Sequence, residues 1–276
     1  MRTPKKHADV IDSCSPIGKE TPEMPEMSSY APGTPCWVDV SSDDVAASAA
    51  FYCSLFGWEA MEMPDAGGYT MLFQDGKTVA AVGVNQGGGP AAWSTYIATA
   101  DADAAAAKIT DAGGSLMVDV MDVMDAGRMA FGIDPQGVPF GIWQPGTHTG
   151  AQLVNEPFGY TWAELNTTDA GAAQEFYSAV FGWEPEALGG GEGFHYAMQK
   201  VDGRIVGGIM AMEGMPPAWG TYFAVEDTDA TVAKAEELGG STIRPAGDTG
   251  FGRMALLADP EGAVFAVIKL ASEATA

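Results

Sequence analysis

Ala50-Phe51-Tyr52-Cys53-Ser54-Leu55-Phe56-Gly57-Trp58-Glu59 returns as Glu175-Phe176-Tyr177-Ser178-Ala179-Val180-Phe181-Gly182-Trp183-Glu184, so that Phe51 recurs 125 residues later as Phe176. Other landmarks recur in step. Trp93-Ser94-Thr95-Tyr96 matches Trp219-Gly220-Thr221-Tyr222, Gly127-Arg128-Met129-Ala130 matches Gly252-Arg253-Met254-Ala255, and Asp134-Pro135-Gln136-Gly137 matches Asp259-Pro260-Glu261-Gly262. A period of this length is too long for a solenoid repeat and matches a whole small domain. The chain is therefore a tandem of two homologous modules.

Composition agrees with two ordinary cores: 276 residues, 46% hydrophobic and 18% charged. The formal net charge of −24 repels phosphate backbones and anionic lipid, which argues against nucleic-acid and membrane partners. Cys14, Cys36 and Cys53 are too few and too irregular for a disulfide framework and read as reduced thiols in a cytoplasmic protein. No apolar run reaches the ~18 residues of a membrane span, and no apolar signal-peptide stretch follows Lys5 and Lys6. Residues 1–32 carry Pro4, Pro16, Pro22, Pro25 and Pro32 among small polar residues and read as a disordered tail. Met24 and Met27 are alternatives to Met1 as the translational start.

Each module reads as a strand, a helix and three strands, and then the same again. Pro35 to Val40 alternates in strand fashion, and a helix capped by Ser42 or Asp43 runs to about Phe56, where Gly57 stops it. Strands are predicted near 58–63, 69–74 and 77–84, the last two joined by Asp75-Gly76. A strand at 93–98, a helix at 101–112 and strands near 115–122, 127–133 and 138–144 complete the module. The reading gives an α+β fold with a first module at 33–146, a linker at 147–158, a second module at 159–270 and a tail at 271–276.

The pattern Asp-(x)6-Phe-Tyr-(x)3-Phe-Gly-Trp, at Asp44 to Trp58 and Asp169 to Trp183, resembles the first βαβββ unit of the vicinal oxygen chelate superfamily, which holds glyoxalase I, bleomycin-resistance proteins and extradiol dioxygenases. The Asp-Pro-x-Gly turn before an apolar strand resembles the end of its second unit. Gly33-Thr34-Pro35-Cys36-Trp37-Val38-Asp39 and Asp125-Ala126-Gly127-Arg128-Met129 are similar to stretches of an actinobacterial group of two-module glyoxalase-like proteins. The resemblance implies that each module curls a pair of βαβββ units into a half-barrel funnel around one site. Export by a non-classical route is implied by resemblance alone.

Catalytic members of the superfamily hold a divalent metal with His and Glu side chains in that funnel. Carried onto this chain, the first-strand donor position holds Trp37 and Trp162, the fifth-strand position falls near Thr95 and Thr221, and the last holds Gly141 and Ala266. The fourth-strand position falls near Val82 or Gly83, and near Ile209. Neither module keeps the donor set, so no divalent metal cofactor is expected. His7 lies in the tail and His148 in the linker. His195 is a candidate for a catalytic acid or base, or for a ligand beside Glu164 or Glu192.

Aromatic and acidic residues stand where the donors would be. Trp37 with Asp39, and Trp162 with Glu164, share strand faces, and Trp93 with Thr95, and Trp219 with Thr221, lie near the fifth-strand position. Such walls suit a planar or cationic organic ligand; the same tryptophans could equally fill the barrel as core. Arg128 and Arg253 could grip an anion or pair with a neighbouring Asp. Two functions follow. One is a metal-independent small-molecule binding protein for an aromatic or cationic metabolite or drug. The other is an enzyme of the superfamily (a lyase, hydroxylase or dioxygenase) with an atypical or absent metal site. The covalent tandem implies that the two modules pair within one chain, giving a monomer.

Overall fold

The structure is a computed structural model and describes residues 27–188, 196–212, 214 and 216–271. The first module runs β1 (Pro35–Ser42), α1 (Val45–Phe56), β2 (Glu59–Glu62), β3 (Thr70–Gln74), β4 (Lys77–Val84), β5 (Ala92–Ala98), α2 (Ala102–Asp111), β6 (Ser115–Val123), β7 (Gly127–Ile133) and β8 (Pro139–Pro145). The second repeats it as β9 (Tyr160–Thr167), α3 (Ala170–Phe181), β10 (Glu184–Leu188), β11 (Tyr196–Val201), β12 (Arg204–Ala211), β13 (Ala218–Ala224), α4 (Thr228–Glu237), β14 (Ser241–Thr249), β15 (Gly252–Ala258) and β16 (Val264–Leu270).

Each module is one eight-stranded sheet, ordered β2-β3-β4-β1-β5-β8-β7-β6 in the first and in the matching order in the second. The helix crossover places β4 parallel to β1, and β8 parallel to β5. The two βαβββ units then meet along an antiparallel β1–β5 seam. Local chemistry fixes the ends of these elements. The Asp44 carboxylate caps α1 by accepting from the Ala47 N–H at 3.0 Å, and Gly57 takes the left-handed conformation that ends it, with φ of 80°. Asp169 and Gly182 do the same for α3. Asp75-Gly76 and Asp202-Gly203 form tight hairpin turns with both φ values positive.

The repeated Phe-Tyr-(x)3-Phe-Gly-Trp motif is where the modules meet. Tyr52, fully buried on α1, donates to the Asp259 carboxylate of the other module at 2.9 Å, and Tyr177 on α3 donates to Asp134 at 3.3 Å. Trp58 Nε1 reaches the Phe158 carbonyl at 2.8 Å, and Trp183 Nε1 reaches the Gly33 carbonyl at 2.7 Å. The turn residues complete the exchange. Glu261 accepts from the Asp43 and Asp44 N–H groups at the start of α1, and Gln136 accepts from the Asp169 N–H at the start of α3. Phe51, Phe56, Phe223 and Phe265 fill the space between, and one apolar core runs through both modules. The Asp-Pro-x-Gly turn of each module thus docks on the first helix of the other.

The residues around the linker depart from expectation. Residues 27–32, read as part of a disordered tail, pack against it: the Met27 N–H donates to the Gln152 carbonyl and the Tyr30 hydroxyl to the Ala151 carbonyl. Nor is the linker a free tether, since Ala151 and Leu153 are fully buried. No helix among the described residues is long and apolar enough to cross a membrane.

Candidate functional site

Strand pairing decides which side chains face each funnel. On β1 and β5, Trp37 pairs with Tyr96 and Asp39 with Ser94, which gives these four one face of the sheet; Val38 pairs with Thr95 and Val40 with Trp93 on the other. The result is a network that the sequence reading half anticipated. The Asp39 carboxylate accepts from the Tyr96 hydroxyl at 2.8 Å and from the Tyr69 hydroxyl at 3.0 Å, while Trp37 Nε1 donates to the Tyr69 oxygen at 3.0 Å. Met71, Ala81 and Trp143 pack around it, with Phe131 and Met129 on the outer side.

The second module builds the same network. Glu164 accepts from the Tyr222 hydroxyl at 2.9 Å, and Tyr196 hydrogen-bonds both Glu164 and Trp162. Asn166 adds a further hydrogen bond to the carboxylate. Trp162 and Tyr222 are half-buried here, whereas Trp37 and Tyr96 are buried. The floors also differ in their caps. In the first module the linker folds His148 edge-on against Trp37, with ring centroids 4.4 Å apart, and Trp143 Nε1 donates to the His148 carbonyl at 2.9 Å. Burial pulls the His148 imidazole down to about 4, so it sits there neutral.

Burial pushes the Asp39 carboxyl up to about 6, against the hydrogen bonds from Tyr96, Tyr69 and Ser94 that pull it down. Glu164 is also raised by burial, opposed by its hydrogen bonds and by the positive charge of Arg244. The four tyrosine hydroxyls move up, first through burial and then through the neighbouring carboxylate, and so remain donors at neutral pH. An acid whose folded value lies above its ordinary one stabilises the fold at low pH and loses that contribution as pH rises through the folded value. For Asp39 the window runs from about 4 to about 6. Between pH 4 and 7.5, Asp39→Asn should gain on the order of 2 kcal/mol relative to the wild type in urea unfolding. Parallel pH profiles for the two proteins would contradict the raised carboxyl.

The structure relocates several residues expected at the site. Trp93, Thr95, Trp219 and Thr221 face the helices: Trp93 Nε1 donates to the Tyr52 hydroxyl at 3.0 Å and Trp219 Nε1 to the Tyr177 hydroxyl at 3.2 Å. They are core and interface residues, and the fifth-strand position in the funnel belongs to Tyr96 and Tyr222. Arg128 pairs with Asp103 at 2.6 Å and Asp122 at 2.9 Å, and Arg253 with Asp229 at 2.6 Å and Asp248 at 3.1 Å. These partners occupy both guanidinium groups. His195 and Glu192 lie outside the described residues, as does His7.

Among the described residues, those at the donor positions do not fit a divalent metal. Trp37 and Trp162 offer only an N–H donor at the first-strand position. An added Cβ at Gly141 would collide with the Tyr96 ring, so that tyrosine fills the space in which a donor would stand in the first module. Among the described residues no group of three or more His, Cys, Asp or Glu comes together as a metal site.

Comparison with known proteins decides the family. The model of the glyoxalase/bleomycin resistance protein/dioxygenase superfamily matches residues 36–163, and a glyoxalase-like domain model matches residues 162–268. CFP32 of Mycobacterium tuberculosis (strain CDC 1551 / Oshkosh) is 43% identical over 260 residues, covering 91% of this chain and 100% of that protein. The chain belongs to this superfamily. The anthracycline biosynthesis protein DnrV of Streptomyces peucetius is a second relative, 42% identical over 264 residues, covering 88% of this chain and 96% of DnrV. Among solved structures, the Mn(II)-bound glyoxalase from Novosphingobium aromaticivorans aligns with a TM-score of 0.62 at 15% identity, over 86% of this chain and 82% of that one. The 2,2',3-trihydroxybiphenyl 1,2-dioxygenase of Sphingomonas wittichii strain RW1 gives 0.62 at 13% identity, over 87% and 91%. At such identities the likeness establishes the superfamily fold and nothing finer.

Proposed function

We propose that the protein is a metal-independent binder of small planar aromatic molecules, cationic ones above all, with the ligand received in the funnels over Trp37–Asp39 and Trp162–Glu164. The duplicated tryptophan–tyrosine–carboxyl–tyrosine network carries this reading. A carboxylate set among aromatic rings attracts a cationic or hydrogen-bonding group while the rings stack on a flat body. The half-buried Trp162 and Tyr222 make the second funnel the more accessible of the two. The name of the DnrV relative supports the same ligand class, because anthracyclines are planar polycyclic aromatics.

A second reading is favoured by one observation. A carboxyl held near 6 between two phenols is suited to general acid–base work at neutral pH, and glyoxalases and dioxygenases share the fold. In that reading Asp39 and Glu164 abstract or return a proton on a bound aromatic substrate. Calorimetric titration of chelator-treated protein with 1-naphthylmethylamine tests the binding proposal. Saturable binding that persists in chelator supports it; no heat, or binding restored only by added metal, would overturn it.

A further inference from the structure

Cross-strand register sets the two funnels apart at their far walls. In the second module Trp162 on β9 pairs with Tyr222 on β13, Tyr222 with Ala266 on β16, Ala266 with Leu256 on β15, and Leu256 with Arg244 on β14. Partners across a ladder share a face of the sheet, so Arg244 ends the row that starts at Trp162. The matching row of the first module is Trp37, Tyr96, Gly141, Phe131 and Val118. Phe131 meets the Tyr96 ring edge-on at 5.2 Å, which fixes that row inside its funnel. One funnel therefore ends in an apolar side chain and the other in a cation.

The cation lies close to the carboxylate network. Phe251, in the turn between β14 and β15, brings its ring to 6.3 Å from that of Tyr196 on β11. These strands are not neighbours in the sheet, so the contact crosses the funnel and carries the β14–β15 hairpin against the network. The first module has Ala126 in place of Phe251. Burial raises the Glu164 carboxyl and the Tyr222 hydroxyl, and the Arg244 charge opposes the rise in both. Arg128 and Arg253 are held by aspartates, whereas Arg244 is exposed and forms no ion pair or hydrogen bond among the described residues. A chain of net charge −24 repels a simple anion, so a funnel holding both Glu164 and Arg244 suits a ligand that carries both signs. Building on the binding role proposed for the funnels, we infer that the second funnel selects a planar aromatic zwitterion, with its cationic end at Glu164 and its carboxylate gripped by Arg244. The first funnel, which ends in Val118, lacks that preference.

The test is calorimetric titration of the full chain carrying Asp39→Asn, which removes the charge of the first funnel. The probes are 6-(aminomethyl)-2-naphthoic acid and 2-naphthylmethylamine, the same molecule without its carboxylate. The carboxylate is expected to tighten binding about tenfold. Arg244→Gln should abolish that advantage and Arg244→Lys should restore part of it. The amine should bind both variants at least as tightly as it binds the parent, a split between the two probes that a merely structural role for Arg244 would not produce. Equal affinities of the two probes for the parent, or an advantage that survives Arg244→Gln, overturns the inference while the bound amine leaves the binding proposal standing. Failure of the amine itself to bind overturns both.

Discussion

Trp183→Ala is expected to lower the stability of the whole chain by about 3–5 kcal/mol, with both modules unfolding in one transition. Trp183 belongs to the second module by sequence but is 2% exposed within the shared core. Its ring stacks on Tyr177 at 5.2 Å and meets Trp219 edge-on at 6.0 Å. Its nitrogen holds the Gly33 carbonyl just before β1, at 2.7 Å. The truncation opens a cavity and leaves that carbonyl without its donor, two costs that add. Trp183→Phe keeps most of the packing and should cost about 1–2 kcal/mol. Urea unfolding followed by far-UV and near-UV circular dichroism checks this. A first module that unfolds at its wild-type midpoint while the second fails would contradict a common core.

Glu164→Gln should weaken binding of 1-naphthylmethylamine to the second funnel about thirty-fold, corresponding to about 2 kcal/mol for a charge-assisted hydrogen bond. Glutamine keeps the shape of the side chain and can still accept from Tyr222, so the loss reports charge rather than packing. The neutral 1-naphthalenemethanol should lose far less, because stacking on Trp162 and Tyr222 survives. Adding Asp39→Asn should remove the charge-dependent binding that remains. Calorimetry on the single and double variants separates the two funnels, and equal affinities for wild type and Glu164→Gln would show that the carboxylate is not the anchor.

Much of the fold was legible because duplication prints each signal twice. The glycine stops Gly57 and Gly182 and the Asp-Gly turns each force a local geometry whatever the rest of the chain does, whereas the cap of α1 is Asp44 and not the expected Ser42 or Asp43. Half of the site was legible for the same reason: Trp37 with Asp39, and Trp162 with Glu164, follow from strand alternation. Their tyrosine partners were not. Counting back from the second helix selects Thr95 and Thr221, one residue short of Tyr96 and Tyr222, and a slip of one residue transfers a side chain to the opposite face of a sheet. The register breaks between Pro35 and Trp37, and between Tyr222 and Phe223, add to the difficulty. Polarity gave no warning, because the helices cover one face and the aromatic network lines the other, which hides the alternation that would sort them. Tyr52 and Asp259 lie 207 residues apart, and no local pattern announces that contact.

The central claim, a funnel site that works without metal, is tested most directly by elemental analysis of the purified, tag-free protein, with thermal-shift scans against Mn, Fe, Ni and Zn on the same sample. The duplicated network predicts metal well below one equivalent per chain and an unchanged unfolding temperature with every ion. Stoichiometric metal accompanied by clear stabilisation would contradict it.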